Sequence, residues 1–160
     1  RYKMKTVKEI EGKKSVQLIK EVVRVKQTVV ERPVEYNTMI TSTTIAKQIG
    51  IDEIGDEAQE VLLLVALNTK NKINAIHKVF SGSLDSSIAH PREIFRSALL
   101  NNAARILIYH NHPSGNTDPS IEDYELTDRF FAAGELLGIE VLDHIIVAGN
   151  DAISFRENTL

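Results

Sequence analysis

The chain contains no cysteine. Disulfides, cysteine zinc knuckles and thiol catalysis are therefore excluded, and His, Asp and Glu remain as the strong metal ligands. No apolar run approaches the length needed to span a bilayer, and no signal peptide is visible, so no membrane role is expected and the cytoplasm is the expected location. The 160 residues suffice for one domain with a real core. A net charge of −3 hides an asymmetry. Residues 1–36 carry ten Lys/Arg against five Glu, whereas residues 37–160 carry nine against seventeen acidic groups. A basic arm of this kind could touch nucleic acid, or it could be a solvated edge strand whose lysines prevent sheet-edge pairing.

In that arm, Val16–Val30 is rich in β-branched residues and partly alternating, which predicts a strand ended by Pro33. The β-rich arm over 1–36 could be an added strand layer, an interaction segment or a small separate unit. The body, 37–160, starts with a short helix around Ile45–Ile49, with Gly50 expected just past its C-terminus. Val61–Leu67 is apolar throughout and suits a strand buried on both faces. Turn residues Asn68–Lys72 join it to a second strand, Ile73–Phe80, giving a hairpin. A Gly/Ser-rich connection over 81–89 leads to a helix, Pro91–Leu100, with proline in its first turn. A strand at Ile106–Tyr109, a helix over Ile121–Leu137 closed by Gly138, and a strand at Val141–Val147 follow, with a short strand or turn near Ile153–Phe155. The order predicts an α/β fold, a mixed β-sheet flanked by helices.

The chemistry gathers between Tyr109 and Tyr124. His110 and His112, two apart at a strand end, project to the same side. Asp123 lies in the first turn of the next helix, where Ser120 is the expected N-cap. Two imidazoles and one carboxylate suit Zn2+ with one position left for water, whose pKa the metal lowers to roughly 7. Such a water could attack an amide carbonyl. Ser120 could steady the developing oxyanion, or only cap the helix. Asn111, between the two histidines, points to the opposite face. His144 reads as a core histidine or one that supports a ligand, and His77 and His90 as structural or exposed.

The spacing His-x-His, seven residues, Ser, two residues, Asp resembles the JAMM motif of the JAB/MPN metalloprotease fold, with its cytidine-deaminase-like architecture. His90-Pro-Arg-Glu93, Asn102-Ala-Ala104, His110-Asn-His-Pro-Ser-Gly115, Pro119-Ser-x-x-Asp123 and Leu142-Asp-His-Ile-Ile-Val147 narrow the likeness to its bacterial RadC-like branch, over residues 38–160. The resemblance implies a zinc-dependent hydrolase related to deubiquitinating isopeptidases, acting on a peptide or protein. It also implies that Glu60, just before the apolar run, is the catalytic carboxylate; the residues alone equally allow a solvated strand-end glutamate. A different expectation is a metal-stabilised accessory module in DNA repair or processing, using the basic arm. A nucleotide deaminase is excluded, because the His-x-Glu and Pro-Cys-x-x-Cys signature is absent.

Overall fold

A strand with no polar residue must be covered on both faces. The computed structural model, which describes residues 17–82 and 90–159, buries all seven residues of β1 (Val61–Leu67). Around it stand α1 (Thr43–Ile54), β2 (Ile73–Ser81), α2 (Pro91–Leu100), β3 (Arg105–Asn111), α3 (Ile121–Leu137), β4 (Glu140–Ala148), β5 (Asp151–Ser154) and α4 (Phe155–Thr159). The five strands form one mixed sheet in the order β2-β1-β3-β4-β5. β3 and β4 run parallel, and the other neighbours are antiparallel. A parallel pair needs a crossover between its strands, and α3 supplies it. The expected α/β class with a flanked mixed sheet is what the chain forms.

Alternation sorts the sheet into two cores. Leu63, Val65, Leu107, Tyr109 and Val147 face α1 with Ile49 and Ile54. Leu62, Leu64, Ile106 and Ile108 face the other way, against Ile94 and Phe95 of α2 and Leu126 and Phe130 of α3. This parity decides the site. His110 continues the Ile106–Ile108 face toward α3, while Asn111 continues the Tyr109 face.

Three expectations need correction. Gly50 does not end the first helix, which runs on to Ile54 with Gly55 as its cap. A Cβ at Gly50 would lie 2.6 Å from Tyr109 Cδ1 and 2.8 Å from Val147 Cγ2, so the glycine is there to let helix and sheet approach. The strand expected over Val16–Val30 is absent in its described part. Residues 17–34 have no regular secondary structure, and Leu18, Ile19, Val22, Val23, Val25, Val29 and Val30 are 65–91% exposed. β-branched composition favours a strand only where a ladder partner stands beside it. Phe155 opens a short helix rather than ending a strand.

The arm is tied down by side chains instead. Gln27 and Asn101 exchange amide hydrogen bonds of 2.6 and 3.2 Å, and Arg32 pairs with Glu53 at 2.6 Å. A cleft of about 900 Å³ lies between these ties and the Ile73 end of β2, lined in part by Val29, Tyr36 and Ile76. Residues 1–16 of the arm and 83–89 of the Gly/Ser-rich connection lie outside the described residues. Among those described, no helix is long and apolar enough to cross a membrane.

Candidate metal centre

β3 delivers its two histidines at the mouth of the sheet. His110 pairs with Leu62 on one side and Ile146 on the other, and the His112 N–H extends the ladder to the Val147 carbonyl at 2.7 Å. The chain then turns back: the Gly115 N–H reaches the His112 carbonyl at 3.1 Å, with Gly115 at φ +88°. Only glycine takes that dihedral cheaply. Ser120 caps α3 in a reciprocal box, its Oγ accepting the Asp123 N–H at 3.1 Å while Asp123 Oδ2 accepts the Ser120 N–H at 2.8 Å. The box fixes the Asp123 rotamer and leaves its carboxylate facing β3.

The three side chains converge. His110 Nε2 lies 3.1 Å from Asp123 Oδ1, His112 Nε2 lies 3.2 Å from Asp123 Oδ2, and the two Nε2 atoms are 3.1 Å apart. His110 is buried, while His112 and Asp123 are each 15% exposed in their side chains.

Hydrogen-bond direction shows what those atoms carry. A carbonyl only accepts, so the His112 Nδ1–H donates to the Asn116 carbonyl at 2.7 Å, and a neutral His112 has a bare lone pair on Nε2. His110 Nδ1 lies 2.7 Å from His144 Nε2, whose ring is fully buried. Burial pushes His144 well below the usual histidine range and keeps it neutral. Its Nδ1 lies 2.6 Å from Thr127 Oγ1, which spends its one proton on the Asp123 carbonyl at 2.6 Å. A neutral His144 therefore donates from Nδ1 and accepts at Nε2, and a neutral His110 too has its lone pair on Nε2.

Two lone pairs and a carboxylate thus face one another and repel unless they share a positive charge. A proton answers that only in part. Contact with Asp123, against the opposing effect of burial, raises His112 above its ordinary value. Burial would raise Asp123, but the contacts with His110 and His112 outweigh it and hold the carboxyl far below the usual range. A divalent cation answers all three. Donors at about 2.0–2.1 Å from a tetrahedral ion stand about 3.3 Å apart, close to the 3.1–3.2 Å separations seen. Among the described residues this is the one His/Asp/Glu group with ligand atoms close enough to hold a metal.

The two expected catalytic residues stand at the heads of the elements that enter the site, Glu60 before β1 and Ser120 before α3. Glu60 precedes β1, its carbonyl accepts the Gly82 N–H at 2.9 Å, and its charge contributes to raising His112. Ser120 is exposed at the head of α3. Its Oγ accepts the cap hydrogen bond through a lone pair, which leaves the O–H proton able to donate elsewhere. The two readings of Ser120 are therefore compatible.

Two supporting residues escaped the reading of the sequence. Thr127 follows Asp123 by four positions, so its place on the same helical face was available from spacing. Asn111 was assigned to the opposite face and is there, but nothing local announced that its amide binds the segment carrying Glu60. His90, read as structural or exposed, caps α2. The exposed His77 bonds Ser97 at 2.7 Å.

Residues 40–160 match the profile of the RadC-like JAB domain. A UPF0758 protein of Clostridium beijerinckii is 46% identical over 121 residues, 76% of this chain and 53% of that protein. One from Clostridium perfringens is 44% identical over 121 residues with the same coverage. One from Enterococcus faecalis is 45% identical over 124 residues, 78% of this chain and 53% of its own length. The chain spans about half the length of the curated relatives it matches. With a sheet of this order, a His-His-Asp cluster at its mouth and a profile that covers most of the sequence, the chain belongs to the RadC-like JAB domain family.

Proposed function

We propose that the chain is a zinc-dependent hydrolase of metallopeptidase or isopeptidase type that cuts an amide bond in a peptide or protein. The observation that carries this reading is the convergence of three ligand groups, His110 Nε2, His112 Nε2 and the Asp123 carboxylate, at 3.1–3.2 Å from one another. When bound, zinc supplies Lewis acidity and lowers the pKa of a coordinated water to roughly 7. Glu60, beside His112, takes the proton of the attacking water and delivers it to the leaving amine. Ser120 donates its hydroxyl proton toward the developing oxyanion while its lone pair keeps the helix cap. Ile121 and Tyr124, 76% and 44% exposed at the head of α3, offer apolar surface to substrate side chains.

Zinc content, then cleavage of a panel of peptides and isopeptide-linked conjugates by wild type and Glu60→Gln, tests the reading. The expected result is one zinc per chain in both, with cleavage only by wild type. A zinc-loaded wild type that leaves every amide intact would favour a metal-stabilised binding module in DNA processing instead. That second reading draws on the basic arm, residues 1–36, with ten Lys/Arg against five Glu. It requires salt-dependent DNA binding that disappears when residues 1–36 are removed.

A further inference from the structure

A relay of three hydrogen bonds runs through the site and joins three elements. The Asp123 carbonyl on α3 accepts the Thr127 hydroxyl proton at 2.6 Å, and Thr127 Oγ1 lies 2.6 Å from His144 Nδ1 on β4. His144 Nε2 lies 2.7 Å from His110 Nδ1 on β3, and the relay ends at the other ring nitrogen, His110 Nε2, 3.1 Å from the Asp123 carboxylate. Only the first link has its direction imposed outright, because a carbonyl cannot donate. A hydroxyl owns one proton, so Thr127 must accept from His144, and the link from His110 to a neutral His144 inherits its direction from that one.

We infer that Thr127 is a positioning residue for the metal: through His144 it keeps the His110 proton on Nδ1 and turns the Nε2 lone pair toward the ion. The inference rests on the metal reading proposed above. The polarity of the relay rests on the hydrogen bonds and on the full burial of His144, which disfavours a charged ring.

The alternative arrangement is close in chemistry and harmful in effect. A neutral imidazole has two tautomers, and the hydrogen bonds around it choose between them. Without the hydroxyl, His144 can carry its proton on Nε2 and aim it at His110 Nδ1. His110 must then hold its own proton on Nε2, where the ion belongs. Solvent offers no remedy, since Thr127, His144 and His110 are 5%, 0% and 2% exposed. Packing keeps the ring from turning away: Phe155 stacks on His144 at 4.9 Å between centroids, and Phe130 meets it edge-on at 5.6 Å. Residues that hold the far nitrogen of a ligating histidine are typically worth about 10–100-fold in metal affinity.

Two substitutions separate hydrogen bonding from packing. Thr127→Val keeps the volume and removes the hydroxyl, whereas Thr127→Ser keeps the hydroxyl and removes the methyl. Zn2+ affinity, measured by competition with a chromophoric chelator, should fall about 10–100-fold in Thr127→Val and stay within about threefold of wild type in Thr127→Ser. Nitrogen-15 NMR of the metal-free wild type should find His144 and His110 both protonated at Nδ1, a readout that stands even if a variant fails to fold. Unchanged Zn2+ affinity in Thr127→Val, a loss confined to Thr127→Ser, or a His144 proton on Nε2 in the wild type would overturn the inference while leaving the metal site intact. A wild type that binds no Zn2+ would instead remove the metal reading itself.

Discussion

Asn111 Oδ1 accepts the Val61 N–H at 2.7 Å, so the last residue of β3 holds the first residue of β1 through a side chain. The same amide donates to the carbonyls of Gln59 at 3.0 Å and Glu57 at 3.3 Å. Glu60 lies inside that clamp. Asn111→Leu leaves three main-chain groups without this partner, at about 1–3 kcal/mol for each one that stays buried. We expect a stability loss of about 3 kcal/mol in urea unfolding. Amide hydrolysis should fall more than Zn2+ affinity does, because the clamp holds Glu60 and not the ligands. Equal losses in both would show that Asn111 supports the whole mouth of the sheet.

Metal removal should register in stability. A ligand that binds only the folded state at 100 times its Kd adds about 2.7 kcal/mol. For a chain of this size that is about 5–10 °C in Tm. Melting with excess Zn2+ and then with EDTA should show this difference in wild type and none in His112→Ala. Identical curves for wild type under both conditions would count against the site.

Ser120 can be tested with its two roles apart. Glycine caps a helix nearly as well as serine, within a few tenths of a kcal/mol, whereas alanine costs about 1 kcal/mol. Ser120→Gly and Ser120→Ala should therefore differ in unfolding midpoint yet share the same fall in hydrolysis, about 10²–10³-fold. Activity that tracks stability instead would leave Ser120 as a cap alone.

The arm carries a pH dependence of its own. Burial opposes ionisation of Glu53, but hydrogen bonds from Arg32 and Tyr36 outweigh it and lower the carboxyl below its ordinary value. A depressed folded pKa adds stability that is present above the unfolded value of about 4.3 and is lost as pH falls through the folded one. Arg32→Ala should lower stability by a constant amount at pH 7 and flatten the acid limb below about pH 5, where the two stability curves converge. Protease cleavage within residues 17–31 should speed up in the same variant. An unchanged acid limb would show that the pair does not hold Glu53 ionised.

How much of this was legible depends on how locally each residue is explained. Val61–Leu67 could be read as doubly buried because nothing in it is polar, and Pro91 with Asn101 bracketed a helix by their own backbone preferences. The triad was readable for a similar reason: a strand end, a turn and a capped helix fit within His110–Asp123, each with its own period. Gly50 misled because its reason is tertiary, the Tyr109 ring 2.6 Å from where a Cβ would be. The arm misled because Val22 and its neighbours have strand composition but no ladder to join. Asn111 and Thr127 act on groups dozens of positions away or on another strand, and no local pattern encodes that.

β3 lies in the interior of the sheet, with β1 on one side and β4 on the other. A synthetic peptide copied from His110–Asp123 would hold every donor atom and none of the scaffolding that aims them. The convergence of these three side chains would not travel with the segment, because it is held from outside by Leu62 of β1 and by His144 and Ile146 of β4.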